Sequence, residues 1–354
     1  MRAKVYFQRI CADLADKLPE LFDLVAGSVI KSGDSVAIKL HFGEPGNKAY
    51  LKPHLVRPIV DAVQTLGGRP FLTDANTLYK GGRSDSKTHL ESAKLHGYSK
   101  ETMGVDIVIA DGLDGHFVEN APVNLNHFKE VSLAKAAIDA DCLIALSHFK
   151  GHDCTGFGGA IKNVGMGLGS RAGKQQMHAD VVPRVDTAKC TGDGRCVKWC
   201  PTEAISIVNK KAQIDLSRCI GCAECVAACL PGAIGISWAG TPDSIQEKMA
   251  EYACGALQKK RGKAAFFNFL LDISPNCDCY PRNDAPIVPD IGVLASTDIV
   301  AIDRASVDLV NSSEGRVKGH DKFRTIYPDI DWSTQIKHAQ KIGLGSQDHE
   351  LIEV

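Results

Sequence analysis

Between Cys190 and Cys229 two cysteine runs share one spacing register. The second reads Cys219-x₂-Cys222-x₂-Cys225-x₃-Cys229. The first reads Cys190-x₂-Asp193-x₂-Cys196-x₃-Cys200-Pro201, with Asp193 standing where its counterpart has a cysteine. Short C-x₂-C-x₂-C turns aim three thiolates at one cubane, and the fourth cysteine of each run reaches the other cluster. The spacing therefore points to two iron–sulfur centres and to a stretch folded tightly around them. Structural zinc is the plainer alternative for clustered cysteines, but seven cysteines interlocked in this register do not divide into two zinc sites.

Residues 186–238 resemble the bacterial two-cluster ferredoxin module. By that resemblance Cys219, Cys222, Cys225 and Cys200 hold one 4Fe-4S cluster. Cys190, Cys196 and Cys229 hold the other, with Asp193 beside its fourth iron. Carboxylate is a hard ligand and thiolate a soft one, so that iron is held more weakly. Three outcomes stay open: an Asp-ligated 4Fe-4S cluster, a 3Fe-4S cluster, or an iron accessible to substrate.

The 354 residues suffice for one large or two medium domains with real cores. A formal net charge of −1 gives no reason to expect nucleic acid or an acidic membrane surface as partner. No apolar run is long enough to span a bilayer, and the first twenty residues lack a secretory signal. Cytoplasmic location is the expectation. Thirteen cysteines in such a chain indicate metal or redox chemistry rather than structural disulfides. Of the six outside the two runs, Cys142 falls in an apolar strand. Cys11 and Cys254 fall in helical patterns and read as packing residues.

Strand and helix signals alternate on both sides of the cysteine-rich stretch. Strands are expected at 35–40, 69–75, 105–112, 141–149, 263–273 and 287–296, and helices at 53–67, 86–97, 130–139, 243–260 and 299–311. That rhythm predicts an α/β fold, a mostly parallel sheet covered by helices. The expected organisation is a host domain in two parts, 1–185 and 239–354, with an α+β ferredoxin-like module inserted at 186–238. The module is near neutral, with six Lys/Arg against five acids. Such a surface suits docking on its own host or on an acidic donor.

Ligand sites in open α/β sheets form beyond the carboxyl ends of strands. Polar residues collect at five such ends: Lys39, His41 and Glu44; Thr73, Asp74 and Asn76; Asp111 and Asp114; His148, Lys150, His152, Asp153 and Cys154; and Asp272, Cys277 and Cys279. Singly, a loop histidine is most often solvated or structural; together these residues outline one cleft. His41, His148, Lys150, His152 and Lys162 are the candidates for binding substrate or delivering protons, since histidine titrates near neutral pH. Cys277 and Cys279, a C-x-C pair that does not easily close on itself, are a candidate third metal site or a pair of redox thiols. His148 and His152, four apart, suit a metal if helical, although Gly151 weighs against a helix. The segment 156–174 carries six glycines by position 169, with Lys162, Arg171 and Lys174. It reads either as an anion-binding loop or as glycines permitting close packing. It fits neither a P-loop nor a dinucleotide fingerprint.

The blocks HFKGHDCTGFGGAIKNVGMGLGSRAGK, NCDCYP and APIVPDIGVLAS…DIVAIDRASVDL, with KLHFGEPGN and LTDANTLYKG nearer the start, resemble the iron–sulfur-centre proteins called domain of unknown function 362. The resemblance covers most of the chain. It implies iron–sulfur binding and redox activity in anaerobic-type metabolism, without naming a reaction. The host arrangement also resembles nickel-dependent lactate racemase, whose activity is not carried over. Three functions follow as expectations. The first is an oxidoreductase passing electrons from two clusters to a small anionic substrate or to a partner protein. The second is a non-catalytic electron carrier or cluster scaffold. The third is a non-redox Lewis-acid metalloenzyme.

Overall fold

The computed structural model describes residues 2–79, 81–178, 183–200, 202–219, 224–235 and 240–354. Its centre is an eight-stranded sheet. In chain order the strands are β1 (Ala3–Arg9), β2 (Ser35–Lys39), β3 (Arg69–Asp74), β4 (Ile107–Ile109), β5 (Cys142–His148), β6 (Ala264–Leu270), β7 (Gly292–Ser296) and β8 (His349–Glu353). Across the sheet they run β8-β1-β7-β6-β5-β2-β3-β4. Only β7 opposes its neighbours; every other pairing is parallel. The α/β class and mostly parallel sheet anticipated from the sequence are therefore present. Strands from both sides of the cysteine-rich stretch meet directly, with β6 pairing Phe266 to Ala145 of β5.

Alternation along the central strands builds two cores. In β5, Cys142, Ile144 and Leu146 face one layer while Leu143 and Ala145 face the other; in β6, Phe267 and Phe269 oppose Phe266 and Leu270. Both sides being covered, the strands read as unbroken apolar runs. One layer contains helices α1 (Leu14–Ala26) and α2 (Pro53–Thr65); the other contains α4 (Ala160–Leu168), α6 (Pro242–Leu257), α7 (Ile299–Ser312) and α8 (Ser333–Lys341). Helix α3 (Ser86–Leu95) packs on β4 at one edge of the sheet, and α5 (Arg171–His178) packs on α6 and on Glu224–Ala228. Each fully buried Phe or Ile contributes roughly 1.5–3 kcal/mol, so β5 and β6, apolar on both faces, anchor the fold.

Several expectations are corrected. Residues 130–139 are not one helix. Glu130–Ala134 is a strand paired with Val118–Pro122, and only Lys135–Asp139 is helical. Val131 and Leu133 are buried while Glu130 is exposed, a two-residue period that favours a strand. The expected strand at 287–296 begins only at Gly292. Pro289 has no N–H for a ladder, and the Asp290 carboxylate instead accepts from Asp272 N at 2.7 Å. Cys11 precedes α1 rather than lying in it. Cys142 is buried in β5 and Cys254 lies in α6, as read.

Residues 183–235, so far as described, form a small lobe. It contains a hairpin (Ile205–Val208 with Lys211–Ile214), short helices Arg195–Lys198 and Glu224–Ala228, and a bridge from Val185 to Ile234. Its apolar cluster joins Cys196 and Cys225 with Ile205, Ala212 and Val226, and includes Leu78 from the sheet domain. His116 stacks on Trp199 with ring centroids 3.6 Å apart, and Arg171 Nη1 donates to Ala227 O at 3.1 Å, fastening the lobe to the sheet domain. Among the described residues no helix is long and apolar enough to cross a membrane.

Candidate functional site

The parallel strands end on one rim, and beyond it lies a cavity of about 770 Å³. All five residues singled out from the sequence line it: His41, His148, Lys150, His152 and Lys162. Lys39, Glu44, Asp74, Asp153, Cys154, Cys277 and Cys279 join them. Thr73, Asn76, Asp111, Asp114 and Asp272 do not line it. Thr73 and Asn76 instead donate to backbone carbonyls of Val108 and Gly112. Asp114 pairs with His116.

The walls are rich in buried charge arranged in two paired groups. Asp74 lies 2.9 Å from Lys39 Nζ, 3.5 Å from His89 and 3.6 Å from Arg83. Burial opposes its ionisation, but Lys39 and the neighbouring histidines outweigh that and hold the carboxyl well below its usual range. Arg83 also binds Glu44 at 2.9 Å. In the second group Asp278 accepts from His148 Nδ1 at 2.8 Å and sits 3.2 Å from Lys150 Nζ. Burial again opposes ionisation, and the charges of His148 and Lys150 again override it, so Asp278 stays a carboxylate. Sequence reading missed Arg83 and Asp278. Asp278 sits between two cysteines that drew the attention, and Arg83 lies in a loop without a motif.

Two cavity cations have no carboxylate within ion-pair distance among the described residues: Lys162 and Lys174. Burial, with Lys150 close by, brings the Lys162 ammonium down to about 7. Burial brings Lys174 down to about 8, opposed by Asp111 and Asp74. Burial, with Arg83 nearby, pushes His41 well below its ordinary value, and burial with Lys162 does the same to His152. Both rings are therefore neutral near pH 7.

The glycine-rich segment is not an open loop: it forms a short strand, Gly156–Gly158, and the helices α4 and α5. A Cβ at Gly165 would lie 2.1 Å from Met249 O, so glycine lets α4 approach α6 closely. One at Gly167 would lie 2.7 Å from Lys39 Nζ, so glycine also makes room for the buried ammonium. The packing reading holds, and the cationic groups reach the cavity as side chains rather than as a nest of backbone amides. His148 and His152 lie on strand segments, not on a helix. Cys277 and Cys279 are joined as a disulfide, contrary to the expectation that so short a pair would stay open. Asp278 lies in the turn between them.

In the lobe, Cys190, Asp193, Cys196 and Cys229 line one small hollow. Backbone N–H groups point at the sulfurs: Ala212 to Cys190 at 3.3 Å, Ala233 to Cys229 at 3.2 Å and Ala204 to Cys200 at 3.1 Å. Asp193 is exposed, and its carboxylate accepts from Arg195 N at 3.0 Å and Thr191 Oγ1 at 3.4 Å. Cys219 and Cys225 are half-buried and buried respectively; Cys222 and Pro201 lie outside the described residues.

Residues 36–308 match the family described as "Domain of unknown function (DUF362)". The chain belongs to that family. A thylakoid-associated protein of Synechocystis sp. is 29% identical to this DUF362 chain over 129 residues, 36% of the chain and 36% of that relative's length. The lactate racemase apoprotein of Thermoanaerobacterium thermosaccharolyticum overlaps 77% of the chain and 51% of its own, at 13% identity and a TM-score of 0.41. A crystal structure of a Thermotoga maritima protein overlaps 92% and 59%, at 10% identity and a TM-score of 0.39.

Proposed function

We propose that this chain is an iron–sulfur oxidoreductase in which residues 186–238, an inserted ferredoxin-like module, bind two clusters and serve a small anionic substrate in the sheet-domain cavity. The observation that carries the reading is the juxtaposition of two features. The register of Cys190 to Cys229 suits two cubanes, and Leu78 belongs both to the apolar cluster around those cysteines and to the wall of the cavity.

The donor set fits the clusters. Thiolates of buried or half-buried cysteines packed on an apolar cluster, three of them met by backbone N–H groups, have the surroundings that tune iron–sulfur centres. Clusters would supply one-electron transfer; Cys219, Cys222, Cys225 and Cys200 would hold one, and Cys190, Cys196 and Cys229 the other. The hydrogen bonds already made by the Asp193 carboxylate compete with iron ligation, which favours a labile fourth iron and a 3Fe-4S form for that centre.

The chain's own residues shape the substrate's side of the reaction. Lys162 and Lys174, unpaired by carboxylates, attract an anion, while the Asp74 and Asp278 groups hold Lys39, Arg83 and Lys150 in place around it. A pure carrier has no use for a cavity of about 770 Å³, which supports the enzyme over the scaffold. Iron and sulfide analysis with electron paramagnetic resonance on anaerobically purified protein tests the reading. About eight irons per chain, or about seven with a 3Fe centre, are expected, falling by about four in Cys225→Ser. Absence of acid-labile sulfide would sink it.

A further inference from the structure

We propose that His152, Cys277 and Cys279 form a Cys₂His site for a zinc-type divalent cation, assembled when the two cysteines are reduced and open on its fourth side to the cavity. The ligand atoms of these three residues lie within 4.8 Å of one another. Tetrahedral zinc with sulfur at about 2.3 Å needs neighbouring sulfurs about 3.7 Å apart, a spacing that side-chain rotation supplies once the disulfide opens. His152 and Cys277 are buried, and all three residues line the cavity wall.

The surroundings favour ligation over a merely packed cluster. His152 Nδ1 accepts from Cys154 N–H at 3.1 Å, with Asp153 Oδ1 3.5 Å away. Ligation through Nε2 places the ring proton on Nδ1, exchanging the Cys154 bond for one to the Asp153 carboxylate, the kind of partner that orients metal-bound histidines. Cys277 Sγ accepts from Cys279 N at 3.4 Å and lies 3.5 Å from Lys162 Nζ, donors suited to a thiolate. Two thiolates and a neutral imidazole give a divalent cation a site of zero net charge, which a wall of lysines does not oppose. His148, the partner that sequence spacing offered to His152, is already committed: Nδ1 meets Asp278 and Nε2 meets Leu271 O, each at 2.8 Å.

Assembly balances as two steps. With a phosphine reductant, the disulfide takes two electrons from phosphorus and two protons from one water, whose oxygen leaves as the phosphine oxide; with a dithiol, both electrons and protons come from the dithiol, which closes to its own disulfide; either way the pair becomes two thiols. The cation then displaces both protons to solvent. Three protein ligands with one open position is the composition of catalytic rather than structural zinc sites. The open position would polarise a carbonyl or carboxylate held by the cavity lysines.

The experiment uses the full chain, purified anaerobically, with and without phosphine reduction, equilibrated with Zn²⁺ and desalted. Zinc and iron are then counted together for wild type, His152→Gln, Cys279→Ser and Cys277→Ser/Cys279→Ser. Reduced wild type is expected to retain one zinc that the oxidised protein and the double variant lack. His152→Gln, whose folding is checked by circular dichroism, should bind zinc at least about 100-fold more weakly. Iron content should be the same in all four. Zinc-edge absorption should report two sulfurs and one nitrogen from protein; a third sulfur would make Cys154 a ligand and overturn the open position. Equal zinc retention by wild type and double variant, or no zinc in the reduced wild type, overturns the site. Because iron and sulfide are counted separately, a chain that takes zinc here but lacks sulfide would reject the cluster reading and leave this one standing.

Discussion

Asp278 shows how much of the cavity hangs on one residue that spacing alone does not advertise. Its carboxylate is fully buried against His148 and Lys150. Removing one partner of a buried pair strands the other charge, at a cost of about 3–5 kcal/mol. Asp278→Asn, which takes the carboxylate from both partners, is therefore expected to lower unfolding free energy by about 3 kcal/mol in denaturant titration, and Lys150→Met, after which Asp278 keeps His148, by less. Equal effects would mean that His148 does not hold Asp278 as the geometry indicates. The sequence made His148, Lys150 and His152 legible because residues just past strand ends face the ligand side. It hid Asp278, paired with His148 across 130 residues, and Arg83, paired with Glu44 across 39, because such pairings leave no periodic trace.

At the scale of elements, every strand of the sheet except β1 and β8, neighbours at one side, was legible. β2, β5 and β6 carry apolar runs because helices cover both faces. β1 and β8 lie at or next to the sheet edge, where polar residues interrupt the run: β8 reads HELIE and is largely exposed. The helix α4 was hidden by its glycines, which weaken helix propensity and signal a loop in isolation. They are explained only by what they touch. Gly165→Ala would place a methyl 2.1 Å from Met249 O, and separating two packed helices costs about 1–3 kcal/mol. The melting temperature of this variant should fall despite alanine's better propensity; a rise would mean that α4 and α6 are not so closely apposed. Asp303 provides a second test of the same helix. From α7 its carboxylate accepts from Ala160 N at 2.7 Å, Ile161 N at 2.9 Å and Asn268 Nδ2 at 2.7 Å, capping the start of α4. Asp303→Ala orphans those donors, and a loss of about 2–4 kcal/mol is expected in the same titration.

For the whole molecule, the cavity's net charge couples anion binding to pH, and the two have opposite signs. Lys174 is the clearest reporter, since its ammonium touches Gly169 O and no sulfur. Asp111 and Asp74 favour its charged form, while burial, Lys39 and Arg83 oppose it, leaving its folded value at about 8 against a reference of 10.5. Below about pH 8 both folded and unfolded chains carry the proton, and the cost of burying the charge is fully present. Between about 8 and 10.5 the unfolded chain holds the extra proton, so the free protein's stability from this group rises with pH. An anion needs the ammonium, so its affinity must fall over the same window. Sulfate is a suitable probe because its own charge is constant from about pH 6 to about pH 10. Calorimetric titration should show sulfate affinity highest below about pH 6 and more than tenfold weaker above about pH 9, a loss of at least about 1.4 kcal/mol. Lys174→Met should weaken binding at neutral pH and remove the part of the fall centred near pH 8, leaving the part near pH 7 that belongs to Lys162, with iron content unchanged. If wild type and Lys174→Met share one pH profile, the lysine does not face the anion, and the charge that draws substrate into this cavity belongs to other residues.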